Sequence, residues 1–99
     1  MQFVVHAIDN PEMLRQRLDV LDAHRRFLDT APADHGVRVL LSGPLVADDG
    51  STMRGSFFLL EARSRTEIEA LFEKDPLWAA GVWNGVQVSA VQIRQNSIG

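Results

Sequence analysis

Apolar residues recur every three to four positions between residues 12 and 29, while the rest of the chain is cut into short apolar runs by Asp, Gly and Pro. The first run, residues 2 to 8, is rich in β-branched side chains and closes at Asp9-Asn10-Pro11, which predicts a strand followed by a break. A helix is expected from about Pro11 to Asp29, with Asn10 as N-cap, Pro11 in the first turn, and Pro32 and Gly36 marking the exit loop. Val37 to Leu41 reads as a second strand that bends at Ser42-Gly43-Pro44-Leu45. Asp48 to Ser51 is a polar turn, and Ser56 to Ala62 is a third strand. Ser64 and Glu67 match a capping box ahead of Ile68, Leu71 and Phe72, predicting a short helix. Asp75-Pro76 starts one more helical turn, closed by Gly81, and Val86 to Ile93 is the last strand.

The order strand, helix, strand, strand, helix, strand predicts an α+β fold: a ferredoxin-like βαββαβ sandwich whose antiparallel four-stranded sheet carries both helices on one face. A single domain spans residues 1–99, with no linker, repeat or low-complexity segment. The first and third strands offer apolar side chains to both faces, Phe3, Val4 and Val5 in one and Phe57 to Leu60 in the other. The face away from the helices then needs cover, and a second copy packed sheet to sheet would supply it.

The long helix breaks its own pattern. On a helical projection, Leu14, Leu18, Leu21 and Leu28 form a stripe that Met13, Val20 and Phe27 widen, and Arg17 and His24 fall between the two groups. Two ionisable groups facing inward, two turns apart, need partners or water there.

Composition narrows the classes of function. The charged fraction is 23%, the hydrophobic fraction 45% and the net charge −3, which describes a globular protein small enough to gain from pairing with another copy. No basic run is available to neutralise phosphates, so nucleic acid is not an expected partner. The absence of cysteine excludes disulfides, thiolate metal sites and a cysteine nucleophile. No apolar stretch approaches a membrane span and the first residues lack a leader pattern, so no membrane partner is expected and a cytoplasmic location is the default.

Among single residues, His24 is a candidate general acid/base, since an imidazole both takes and gives a proton near neutrality. Its structural alternative is a packed ring bonded to a backbone carbonyl. Asp75 is a candidate to orient that histidine, and equally a standard N-cap before Pro76. Arg17 has the fork geometry to clamp a carboxylate, which Asp9 or Asp75 could provide. Ser42, Gly43 and Pro44 end a strand where Gly43 permits either a bend or close approach of a ligand. The Ser56 hydroxyl and Trp78 are further candidate pocket residues. His6 shares a strand face with Gln2, Val4 and Ile8, and His35 is expected in an open loop. His6, His24 and His35 lack ligand spacing, and there is no phosphate loop, nucleophile elbow or dinucleotide fingerprint, so neither a metal nor another cofactor is expected.

Arg17-Leu18, Ala23-His24, Ser42-Gly43-Pro44, Gly55-Ser56 and the run Asp75 to Trp83, in this order and at these separations, resemble the YCII (YciI-like) family over nearly the whole chain. The resemblance implies a dimeric α+β barrel of ferredoxin-like protomers and an active-site pair of a first-helix histidine and the aspartate of the Asp-Pro motif, here His24 and Asp75. A few relatives are dehalogenases or dehydrochlorinases, and muconolactone isomerases are similar in fold. His6 stands where an aromatic residue is commoner, so the pocket floor is expected to differ. The resulting expectation is a cofactor-free lyase, isomerase or dehalogenase acting on a small cyclic or aromatic-derived acid or lactone. The alternatives are a non-catalytic dimer that binds a small metabolite or supports another enzyme, with His24 and Asp75 as a structural pair, and a cofactor-independent monooxygenase.

Overall fold

The computed structural model describes residues 1–98. Its elements run β1 (Gln2–Ile8), α1 (Leu14–Asp34), β2 (Arg38–Val46), β3 (Met53–Glu61), α2 (Arg65–Phe72), α3 (Pro76–Ala79) and β4 (Gln87–Val91). The strands form one antiparallel sheet in the order β2-β3-β1-β4, so the two central strands are the most apolar ones. This is the expected α+β sandwich, with the second helical segment divided into α2 and α3.

Alternation along the central strands builds the core. Phe3, Val5 and Ala7 of β1 and Ser56, Phe58 and Leu60 of β3 point towards the helices, where Ile68, Leu71 and Phe72 of α2, Leu77 of α3 and Val82 complete the buried cluster. Val4, His6, Ile8 and Phe57 point the other way and are exposed. Facing pairs in the register share a face, and Gly43 lies opposite Phe57. A Cβ on Gly43 would come within 3.1 Å of the Phe57 ring, so this glycine makes room for an aromatic side chain on the outer face. At Gly55 a Cβ would fall 2.4 Å from the Ala7 carbonyl oxygen, a clash with backbone that only glycine avoids.

Several boundaries differ from the sequence expectations. The long helix starts at Leu14 rather than Pro11, because Glu12 adopts a left-handed conformation (φ 61°) that breaks the run. Asn10 does not cap it; its side-chain amide instead donates to the carbonyls of Gly81 and Trp83, tying the entrance of α1 to the loop before β4. At the other end the helix runs through Pro32 to Asp34. Proline's fixed φ suits a helix, and the buried Pro32 accepts at its carbonyl from the N–H groups of His35 and Val37, which fastens the helix end to the start of β2. His35 is thus half-buried at the helix end and not in an open loop. β2 continues through Ser42 to Leu45 without ending there; bulges between Val39 and Leu41 and between Leu45 and Val46 absorb the irregularity, and Pro44 is tolerated because β2 is an edge strand. The Ser64 hydroxyl donates to the Glu67 carboxylate instead of accepting from the helix backbone, and this bond is the main reason the Glu67 carboxyl titrates below its ordinary range.

The apolar stripe of α1 is also rotated from the expected position. Leu14 and Leu18 are exposed, whereas Arg17 and His24 are buried with Met13, Val20 and Phe27 packed beside them. The polar row faces inward because each member of it meets a carboxylate there, Asp9 at the end of β1 for Arg17 and Asp75 at the start of α3 for His24. Among the described residues no helix is long and apolar enough to cross a membrane.

Candidate active site

Two buried ionic contacts hang from α1. Arg17 donates from Nε to one oxygen of Asp9 at 2.6 Å and from Nη2 to the other at 2.8 Å, a fork-to-fork pair that joins the helix to the end of β1. Nη2 also donates to the Ser56 hydroxyl at 2.7 Å, and Trp83 Nε1 donates to the same oxygen at 3.2 Å. The carboxylate that sequence left open as Asp9 or Asp75 is therefore Asp9. Both acceptor positions of the Ser56 oxygen are taken, so its own hydrogen remains to be donated. The two hydrogens on Arg17 Nη1 likewise have no partner among the described residues.

One helical stretch further on, His24 Nδ1 lies 2.9 and 2.8 Å from the two oxygens of Asp75. A carboxylate only accepts, so Nδ1 carries a hydrogen, and in the neutral ring Nε2 is then the acceptor. Asp75 is fully buried and also caps α3, accepting from the Leu77 N–H at 2.8 Å with Pro76 in the first helical position. Both readings of Asp75 thus hold at once, and the cap fixes the carboxylate against which the imidazole is aligned. Phe58 and Trp83 each meet the His24 ring edge-on, with centroids 6.2 Å away. Among the described residues no buried side-chain nitrogen or oxygen is without a partner, and Nε2 has no partner in the protein, so this is the edge of the ring that reaches solvent.

It does so at a cleft of about 270 Å³ between α1 and the β2–β3 end of the sheet. Burial gives the cleft its depth. Arg17, His24, Ser56 and Phe58 form the floor, while Leu21, Leu28 and Met53 form the walls. Arg25, Ser42 and Pro44 are exposed at the rim, where Gly43 contributes backbone. The floor therefore offers a bare imidazole nitrogen beside two hydrogen-bond donors, one cationic and one neutral, in an apolar surround. Such a set can take a proton and stabilise the oxyanion left behind.

Of the residues singled out from sequence, Arg17, His24, Ser42, Gly43, Pro44 and Ser56 all line this cleft, and Asp75 stands directly behind His24. Trp78 does not. It is 44% exposed and borders a separate depression with Phe72, Val86 and Val88, because the single turn of α3 directs Leu77 into the core and Trp78 outwards. The tryptophan that supports the site is Trp83, brought in by the Asp9–Trp83 bridge at the end of β1. Among the described residues no three His, Asp or Glu side chains converge as metal ligands.

The comparisons with known proteins concern the family and the fold. The model of the YCII-related domain matches residues 1–92. Protein YciI of Escherichia coli O6:H1 is 34% identical over 93 residues, covering 89% of this chain and 93% of that protein, and Protein YciI of Shigella flexneri matches equally. A solved structure of 5-chloro-2-hydroxyhydroquinone dehydrochlorinase (TftG) from Burkholderia phenoliruptrix AC1100, in complex with 2,5-dihydroxybenzoquinone, is similar with a TM-score of 0.79 and 30% identity, covering 93% of this chain and 94% of that one. The C-terminal domain of the MgtC protein from Mycobacterium tuberculosis shares the fold alone, with a TM-score of 0.61 at 14% identity, covering 95% of this chain and 90% of that one. The chain belongs to the YCII family.

Proposed function

We propose that this protein is a cofactor-free acid/base enzyme that moves a proton on a small ring acid, lactone or halogenated ring. The observation that carries the reading is the His24–Asp75 pair, whose unpartnered Nε2 opens on a cleft beside the Arg17 and Ser56 donors. Nε2 takes a proton from a carbon next to a carbonyl or from a ring hydroxyl. Asp75 holds the tautomer and stabilises the imidazolium, and the Arg17 Nη1 and Ser56 hydrogens meet the developing oxyanion. In an elimination the freed electron pair becomes the new double bond while chloride departs, and the proton passes from Nε2 to water. In an isomerisation Nε2 returns the same proton to another carbon. The similarity to TftG, a dehydrochlorinase with a quinone ligand, supports the elimination branch.

A second copy completes the reading. Val4, Ile8 and Phe57 leave the outer sheet face exposed, and pairing of two protomers through that face would cover it. Light scattering on the purified chain tests this; a monomer at all concentrations contradicts it. The activity is tested by chloride release from chlorinated hydroquinones, and by solvent deuterium entering lactones and ring acids. Turnover by the native chain that His24→Ala removes is the expected result. Turnover of every accepted substrate unchanged in His24→Ala would refute it.

A further inference from the structure

The proton-transfer chemistry uses the floor of the cleft and leaves its rim unexplained. Arg25 follows His24 on α1 and lines the same cleft, yet it is exposed and has no carboxylate within ion-pair distance among the described residues. Asp22 and Asp29 stand three and four positions away on the helix, the spacing at which surface pairs form, and neither engages it. Ser42 joins it at the rim, from β2, and its hydroxyl has no side-chain hydrogen bond among the described residues. Among the described residues no acidic side chain lines the cleft. The positive charge of Arg17 is already matched by Asp9, and the Asp75 carboxylate is screened from the cleft by the His24 ring, so the unpaired positive charge that lines the cleft is that of Arg25, at the rim.

We infer that the cleft selects small ring monoanions, with Arg25 and the Ser42 hydroxyl taking a carboxylate at the rim while the ring lies between Leu21, Leu28 and Phe58 and presents its reacting atom to His24. This rests on the reading of the cleft as the active site and adds an orientation and a charge preference to it. A guanidinium fork matches a carboxylate and does not match a neutral amide of the same shape, so the anion is favoured although the chain as a whole carries a net charge of −3. A neutral ring gains only the apolar walls and the floor donors.

The test compares benzoate with benzamide, two rings of nearly equal size, by following the backbone amide signals of Leu21, Leu28 and Ser42 during titration. Benzoate is expected to bind about five-fold more tightly, the ratio that a solvent-facing ion pair supports. The preference should vanish in Arg25→Gln, weaken without vanishing in Arg25→Lys, which keeps the charge and loses the fork, persist in the control Arg26→Gln, and shrink as salt is raised. Equal binding of the two rings, shifts elsewhere on the protein, binding of neither, or a preference that survives Arg25→Gln would overturn the inference. Those outcomes are distinguishable from failure of the proton-transfer reading, which is judged by turnover in His24→Ala and not by the binding of benzoate or benzamide.

Discussion

The two ionic pairs on α1 are built from similar parts and behave differently. Arg17 meets Asp9 through two parallel bonds and spends a third on Ser56, whereas His24 meets Asp75 through one nitrogen and keeps the other open to the cleft. Seven residues separate Arg17 from His24 on one helix face, so the two pairs share burial, backbone and neighbours. What differs is the number of donors left over and whether the group can change protonation. A guanidinium stays charged and serves as a fixed dipole and anchor, while an imidazole aligned by a carboxylate can cycle between base and acid. Loss of the first pair is therefore expected to cost stability together with an oxyanion donor, and loss of the second to cost activity with little stability.

Arg17→Ala gives the sharpest contrast. It strands the largely buried Asp9 carboxylate and removes three bonds, two to Asp9 and one to Ser56, which should cost about 3–5 kcal/mol and lower Tm by about 12 °C or more. Calorimetry reads this directly, and a drop of only a degree or two would erase the distinction between the pairs. Asp75→Asn should do the reverse. Asparagine keeps an oxygen for the Leu77 N–H, so the cap survives with a stability loss of under about 1 kcal/mol. Its amide would then face Nδ1, force the hydrogen onto Nε2 and cut turnover by about 10²–10⁴-fold. Equal losses of stability and activity would instead mark His24–Asp75 as a structural pair.

Ser56→Ala probes the link between the two pairs. It removes the shared acceptor of Arg17 Nη2 and Trp83 Nε1, so about 1–3 kcal/mol of stability and part of the activity should go together. The smallest effect belongs to a carboxylate outside both pairs. The Thr52 hydroxyl, then the Thr52 and Ser51 amides, hold the exposed Asp49 carboxyl down to about 2. A depressed folded-state value means that its contribution is complete above the ordinary aspartate range, near 3.9, and fades as pH falls towards about 2. Thr52→Val should move the NMR titration of Asp49 upwards and leave turnover unchanged.

Much of this site can be read along the chain, and the omissions have identifiable causes. The inward position of Arg17 and His24 follows from the helical period, and Asp75 from the Asp-Pro cap, because both signals are local. Leu14 and Leu18 mislead for the same reason: hydrophobicity places the centre of the stripe on the leucines, while the carboxylates of Asp9 and Asp75, both outside the helix, turn it so that the polar row is buried. Pro32 reads as a helix end because the lost N–H is a local cost, whereas the bonds its carbonyl accepts from His35 and Val37 depend on where β2 begins. Trp83 enters the site through the closure of β1 against the last loop, a pairing of residues more than seventy apart that neither composition nor spacing encodes. Arg25 at the rim is a charged residue on the stripe edge, and only the cleft shows what it faces.

The nitrogen-15 spectrum of the neutral His24 ring, assigned with His6→Gln and His35→Gln variants, tests the central claim most directly. The account predicts hydrogen on Nδ1 and a bare Nε2 in the native chain, reversed in Asp75→Asn. A native ring with its hydrogen on Nε2, or a tautomer indifferent to Asp75→Asn, would contradict it.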